Sequence, residues 1–265
     1  MGSTPDFVSL DGVDVDDLGL NLTRLPAVFA APADGYPSIG IPFRPGVTLT
    51  TDQPNTSARE ILVQALVMDT SAANAETTMQ ALKDAVSGRL VGIGFDHASG
   101  RKYYGVCTDV TGDMAFPDAL PGHVSTTLRF LCPDPYAVDD ALTTVSGIAA
   151  ERVQVTVGTG PTYPIITITG AATTPTITLR THDGESVATM TAANIAAGDC
   201  WRVDTLHGLS EICVSGSWSS NIAALTAGFK FPVILPRYAG RSLSSWPTVE
   251  VSSGTLAVAY ARRWA

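Results

Sequence analysis

The second half of this chain is written almost wholly in period two, and that confines it to β-structure. Alternating apolar and polar runs recur at Val153–Val157, Ile165–Thr169, Thr176–Thr181, Trp201–Asp204, Glu211–Val214, Phe229–Leu235, Thr248–Val251 and Thr255–Trp264. Turn signals punctuate them: Gly158-Thr159-Gly160-Pro161, Asp183-Gly184, His207-Gly208 and Ser253-Gly254. Successive strand side chains point to opposite faces, so each run buries one face and wets the other. Eight short strands at this spacing predict a β-sandwich. In the last run Leu256, Val258, Tyr260, Arg262 and Trp264 share one face. Ala257, Ala259 and Ala261 share the other, which is small enough to lie under a second sheet or subunit.

The first half is organised differently. Phe7–Leu10 runs into the turn dipeptide Asp11-Gly12, and Leu18–Leu22 resumes the alternation, predicting a hairpin or two short strands. Asp11, Asp14, Asp16 and Asp17 do not make a calcium loop, because Leu18 and Leu25 stand where ligands are required. Six prolines from Pro26 to Pro54, with Asp34-Gly35 and Pro45-Gly46 as turn signals, predict loop or edge structure. That segment is either a surface loop or an arm reaching a neighbouring subunit, anchored by Ile41 and Phe43. Ile61–Met68 predicts a buried strand. From Ser71 to Ser87 the period becomes helical, with Ala75, Met79, Leu82 and Val86 on one stripe, Ser71 or Asn74 as cap, Glu76 near the positive end and Gly88 as stop. Leu90–Phe95 and Lys102–Val110 predict a hairpin, followed by a turn-rich loop (Gly112, Pro117, Pro121, Gly122) and a strand over His123–Leu131. This order predicts an antiparallel sheet or split barrel with one helix across it. From Tyr136 to about Arg152 the residues are small and polar and predict a linker. The expected domains are therefore 1–140 and 141–265.

The 265 residues suit two domains with separate cores. Charged residues make up only 15% of the chain and hydrophobic residues 45%, which excludes disorder and favours extensive subunit contacts. Through Asp140 there are 18 acidic against 8 basic residues, a balance of −10; from Ala141 there are 7 against 8, a balance of +1. Such asymmetry assigns the halves different duties, and the acidic half offers no basic stripe for gripping nucleic acid. The start lacks a basic, apolar leader and no run is long enough to span a bilayer, so the expectation is cytoplasmic folding without membrane insertion. Cys107, Cys132, Cys200 and Cys213 are too dispersed for a metal site and are expected to be reduced core thiols.

No nucleophile elbow, phosphate loop or zinc-protease motif occurs, so no catalytic set and no cofactor is indicated. His97 and His207 fall in predicted turns. Trp201 and Trp264 alternate within strands and are expected to fill core. Trp218 and Trp246 look loop-borne, which makes them candidates for contacting a glycan.

The stretch Phe130-Leu131-Cys132-Pro133-Asp134-Pro135-Tyr136 ends the first domain and opens the second. Together with Leu10-Asp11-Gly12, Asp17-Leu18-Gly19, Pro164–Gly170, Trp201–Thr205 and the terminal Tyr260-Ala261-Arg262-Arg263-Trp264, it resembles the distal tail proteins of long-tailed, non-contractile bacteriophages. Leu235–Gly240 departs from the turn common in that family, Pro-Gly-x-Asn. The resemblance implies a mainly β protein: a tail-tube-like antiparallel sheet or split barrel with one α-helix, then a galectin-like β-sandwich. It implies a structural role without catalysis, as a homo-hexamer at the distal end of the virion tail, assembled in the host cytoplasm. Six first domains would form a ring between the tail tube protein and the tail-tip hub protein. The ring would leave a lumen for DNA and carry receptor-binding proteins. A tail-tube protein proper and a carbohydrate-binding adhesin module are the alternatives.

Overall fold

The computed structural model describes residues 8–14, 17–24, 34–35, 38–39, 48–49, 55–56, 58–95, 98–116, 120–226, 228–236, 239–240 and 246–264. The chain divides into two compact units, Met1–Ala137 with Ala265, and Val138–Trp264.

In chain order the first unit holds β1 (Val8–Leu10), β2 (Val13–Asp14) and β3 (Leu20–Arg24). Four two-residue strands follow: β4 (Asp34–Gly35), β5 (Ser38–Ile39), β6 (Thr48–Leu49) and β7 (Asn55–Thr56). Then come β8 (Arg59–Met68), α1 (Ala72–Val86), β9 (Leu90–Phe95), β10 (Arg101–Phe116) and β11 (Leu120–Cys132). The main sheet is antiparallel and runs β2-β1-β9-β10-β11-β8-β3. Alternation in β8 sends Ile61, Val63, Ala65 and Val67 inward, where the α1 stripe of Ala75, Met79, Leu82 and Val86 also points. Ser71 caps the helix, its Oγ accepting from Asn74 N at 3.2 Å. Glu76 stands one turn beyond the first, so no acidic residue meets the helix N-terminus. Fully burying a Met, Leu or Val side chain is worth about 1.5–3 kcal/mol, so this stripe outweighs the modest propensity of the helix's Thr and Asn residues.

Two expectations for this unit fail. β10 and β11 run on through Gly112, Pro121 and Gly122, where sequence predicts loop. These glycines mark close approach instead of a turn. A Cβ at Gly112 would stand 2.9 Å from Met79 Cε and 3.1 Å from Val124 Cγ1, and one at Gly122 would collide with the Asp69 carbonyl. Asp34-Gly35, expected as a turn, instead pairs with Asn55–Thr56, and Ser38–Ile39 pairs with Thr48–Leu49.

The boundary strand β12 (Ala137–Asp139) leads into β13 (Thr143–Ile148), β14 (Val153–Gln154), β15 (Ile165–Thr169), β16 (Thr176–Arg180) and β17 (Ser186–Thr191). There follow β18 (Cys200–Asp204), β19 (Leu209–Val214), β20 (Ser217–Ser220), β21 (Thr248–Val251), β22 (Thr255–Tyr260) and β23 (Arg263–Trp264). One sheet runs β13-β22-β15-β18-β19-β20 and the other β14-β21-β16-β17. Ile166, Ile168, Trp201, Leu256 and Val258 of the first meet Ile177, Leu179, Met190, Val249 and Val251 of the second in one core. This is the expected sandwich.

Its details correct the sequence reading at four places. The predicted linker contains β13, paired with β22. Phe229–Leu235 is not a strand, because Pro232 and Pro236 interrupt the donors; Ile234 keeps a lone bridge to Thr162. Trp218 is not loop-borne but lies in β20, opposite Cys213. The last run changes phase after Tyr260, because Ala261 and Arg262 leave the ladder. Arg263 therefore turns inward, 4.7 Å from the Tyr163 ring centroid, while Arg262 reaches Asp139 at 2.7 Å.

Candidate functional site

The junction is built by the end of β11. Alternation sends Phe130 and Cys132 fully inward and leaves Leu131 exposed. Beneath them Arg59 is buried, donating from Nη1 to the Tyr103 hydroxyl at 2.5 Å. Burial pushes the Tyr103 hydroxyl up from its ordinary value, and the Arg59 charge opposes the shift. Burial also pushes the Cys132 thiol up to about 11, again against Arg59. A thiol held neutral in this way is no nucleophile; it fills space against Gly105, where a Cβ would lie 2.9 Å from Sγ. Pro133 is exposed and Pro135 buried, and neither can donate to a ladder, so β11 ends here. Asp134 Oδ1 accepts from Tyr136 N at 3.2 Å, turning the chain toward the second unit's sequence.

Beside the junction the outer face of the first unit's sheet carries an apolar row. Val106 pairs with Leu90 on one side and Leu131 on the other, so the three side chains line up across β9, β10 and β11. They are 56%, 37% and 44% exposed in the order Leu90, Val106, Leu131, with Leu62 and Tyr104 each 40% exposed nearby. Glu60, next in the row, pairs with Arg129 at 3.0 Å. Sequence reasoning did not single out this face, although Ile61–Met68 held the signal. A strand apolar in both phases belongs where both faces are covered, and here the Leu62 and Met68 phase is open.

Of the candidate arm residues, Ile41 and Phe43 lie outside the described residues. Trp218 is 43% exposed on the edge strand, with the Arg202 guanidinium 4.2 Å from its ring centroid. Arg202 Nη2 in turn donates to Glu211 Oε2 at 2.6 Å. A sugar stacking on Trp218 would share the indole with that guanidinium. Trp246 is half-buried against the sandwich core, unlike the exposed platform its loop-like sequence suggests. Trp201 is fully buried, and Trp264 donates from Nε1 to Asp139 at 2.8 Å. Only Cys132 proves to be a core thiol; Cys107, Cys200 and Cys213 are half-buried, and all four are free.

Among the described residues no three His, Cys, Asp or Glu side chains gather as metal ligands, and no helix is long and apolar enough to cross a membrane. An open groove of about 400 Å³ lies beside α1, and Glu76 and Lys83 are its ionisable lining residues. With Met79, Gly112 and Val124 also lining it, the groove holds, among the described residues, no Ser, Cys, Thr or His side chain to act as nucleophile or imidazole base.

No family model matches the chain, and no curated protein matches it. Solved structures do. The SPP1 Dit (gp 19.1) protein, described as a paradigm of the hub adsorption apparatus in phages infecting Gram-positive bacteria, is 18% identical with a TM-score of 0.76, over 98% of this chain and 99% of that one. A chain of the phage p2 baseplate in its activated conformation with Sr is 10% identical with a TM-score of 0.53, over 96% of this chain and 97% of that one. The corresponding baseplate with Ca gives 9% identity and a TM-score of 0.51, over 97% and 98%. At these identities the likeness establishes the fold, and it spans both units.

Proposed function

We propose that the chain is a structural, non-enzymatic component of a bacteriophage tail tip, located at the distal end of the virion tail. The observation that carries this reading is end-to-end fold likeness to SPP1 Dit, in which both units are matched. Six copies form a ring through the first domain, 1–140, while the sandwich domain, 141–265, serves as an outer platform for receptor-binding proteins. The ring joins the tail tube protein to the tail-tip hub and is assembled in the host cytoplasm. A closed ring needs a heterologous interface whose rotation returns on itself. The uncovered row of Leu90, Val106 and Leu131 supports such contacts, because exposed contiguous apolar surface marks association sites. The balance of −10 through Asp140 supports a lumen that repels DNA and lets it slide.

Light scattering and negative-stain imaging of the purified chain test the reading. A discrete six-fold ring is the expected result, long tubes would favour a tail-tube protein, and a monodisperse monomer at high concentration would refute self-assembly. Val106→Asp places a charge in the apolar row at an exposed position, so it should reduce ring formation at least tenfold while leaving the monomer's far-UV circular dichroism unchanged.

A further inference from the structure

On the outer face of the six-stranded sheet, two cysteines stand directly opposite one another. Cys200 opens β18, Cys213 lies near the end of β19, and the ladder holds them in register. Trp201 and Val203 are fully buried, so the alternate residues Cys200 and Arg202 face outward. Opposed residues on an antiparallel ladder have Cα atoms about 4.5–5.5 Å apart. That falls inside the roughly 4.4–6.8 Å window a disulfide bridges. Both thiols are free and half-buried, hence reachable by a small reagent. Thr169 flanks the pair on β15 and Trp218 on β20, each in register. The Cys200 thiol is held above its ordinary value by burial and by hydrogen bonding with the Cys213 side chain, which agrees with two sulfurs in mutual contact. Cys132 has no such partner, being sealed inside the first unit.

We propose that Cys200 and Cys213 form a reversible covalent modification site at which a small-molecule disulfide, of the oxidised-glutathione class, installs a cross-strand bond. One protein thiol loses its proton and attacks a sulfur of the reagent, forming a mixed disulfide and expelling one glutathione thiolate, which takes up a proton. The second protein thiol loses its proton and attacks the first protein sulfur. The second glutathione leaves as thiolate and is protonated in turn. Two protein thiols are oxidised to one disulfide, and one small disulfide is reduced to two thiols. The bond ties β18 to β19 beside the exposed edge strand β20, locking the face that carries Arg202 and Trp218. A reducing compartment keeps the pair open and an oxidising one closes it. The inference is independent of how many chains assemble.

The full chain is incubated with excess oxidised glutathione, alkylated, and mapped by mass spectrometry without reduction. The expected result is loss of two of the four free thiols, with a peptide joining Cys200 to Cys213 that dithiothreitol releases. Cys213→Ser should instead trap glutathione on Cys200. Phenylarsine oxide, which needs two adjacent thiols, should bind the wild-type chain one to one. Four unmodified thiols, glutathione retained separately on Cys200 and Cys213 of the wild type, or a link only between chains would each overturn the proposal. The wild-type map decides the matter even if the Ser variant fails to fold.

Discussion

Replacing Ser210 by Ala tests the tightest polar arrangement in the sandwich core. Ser210 is 1% exposed on β19, and its hydroxyl serves two buried neighbours. It accepts from Trp201 Nε1 at 2.8 Å and donates to Asn221 Oδ1 at 2.5 Å. Ala removes one oxygen atom, too small a volume to admit a water, so the indole N–H of fully buried Trp201 loses its acceptor outright. Asn221 Oδ1 loses a donor at the same time. Leaving a buried polar group unsatisfied costs about 1–3 kcal/mol; with Asn221 partly able to relax, the pair should cost about 2–4 kcal/mol. With a urea dependence of about 2 kcal/mol per molar, the unfolding midpoint falls by roughly 1–2 M. Tryptophan emission is the natural probe, because Trp201, Trp218, Trp246 and Trp264 all lie in the second unit. Ser219→Ala, at an exposed position on the edge strand, is the control and should stay within about 0.5 kcal/mol of wild type. A Ser210→Ala midpoint within about 0.3 M of wild type would refute the reasoning, because the indole N–H would then have found another acceptor.

Three further outcomes are expected. Gly122→Ala should destabilise the first unit by about 1–3 kcal/mol or more, because its Cβ meets backbone at Asp69 and no flexible side chain can yield; calorimetry of the full chain reads this, and an unchanged profile contradicts it. Leu82→Ala, under the helix stripe, should cost about 2–5 kcal/mol in the same experiment. Asp204 should link stability to acid. Burial pushes its carboxyl up, but hydrogen bonds from the His207 side chain and from the backbone N–H groups of His207 and Leu206 outweigh this and hold it below the ordinary range. A depressed carboxyl adds stability above its unfolded value, and that stability is lost as pH falls through the folded one. Wild type should therefore exceed Asp204→Asn in urea midpoint above about pH 5, and the gap should close below about pH 4; a gap undiminished in acid would refute the linkage.

Where the chain's local chemistry is strong, sequence and structure agree residue by residue. The stripe Ala75, Met79, Leu82 and Val86 is buried as its spacing requires, and Ser71 caps the helix. Leu256, Val258 and Tyr260 point inward together, and Trp201 fills core. Where it is weak, they part. β13 buries fully only Gly147, so its burial pattern is faint, and it is a strand because β22 offers it a free edge. β20 has all four residues exposed, so no burial pattern announces it; only pairing with β19 does.

Side-chain period is a property of neighbours along the chain, so the amino-acid order alone determined the helix, the sandwich class and which residues of the strong strands face inward. Register is a property of neighbours across a ladder, which no local pattern encodes. Folding alone therefore decided that Gly112 and Gly122 are contact points instead of turns, that Leu90, Val106 and Leu131 make one open row, and that Cys200 meets Cys213. In each case the deciding atoms are remote along the chain and become neighbours only when the sheet closes.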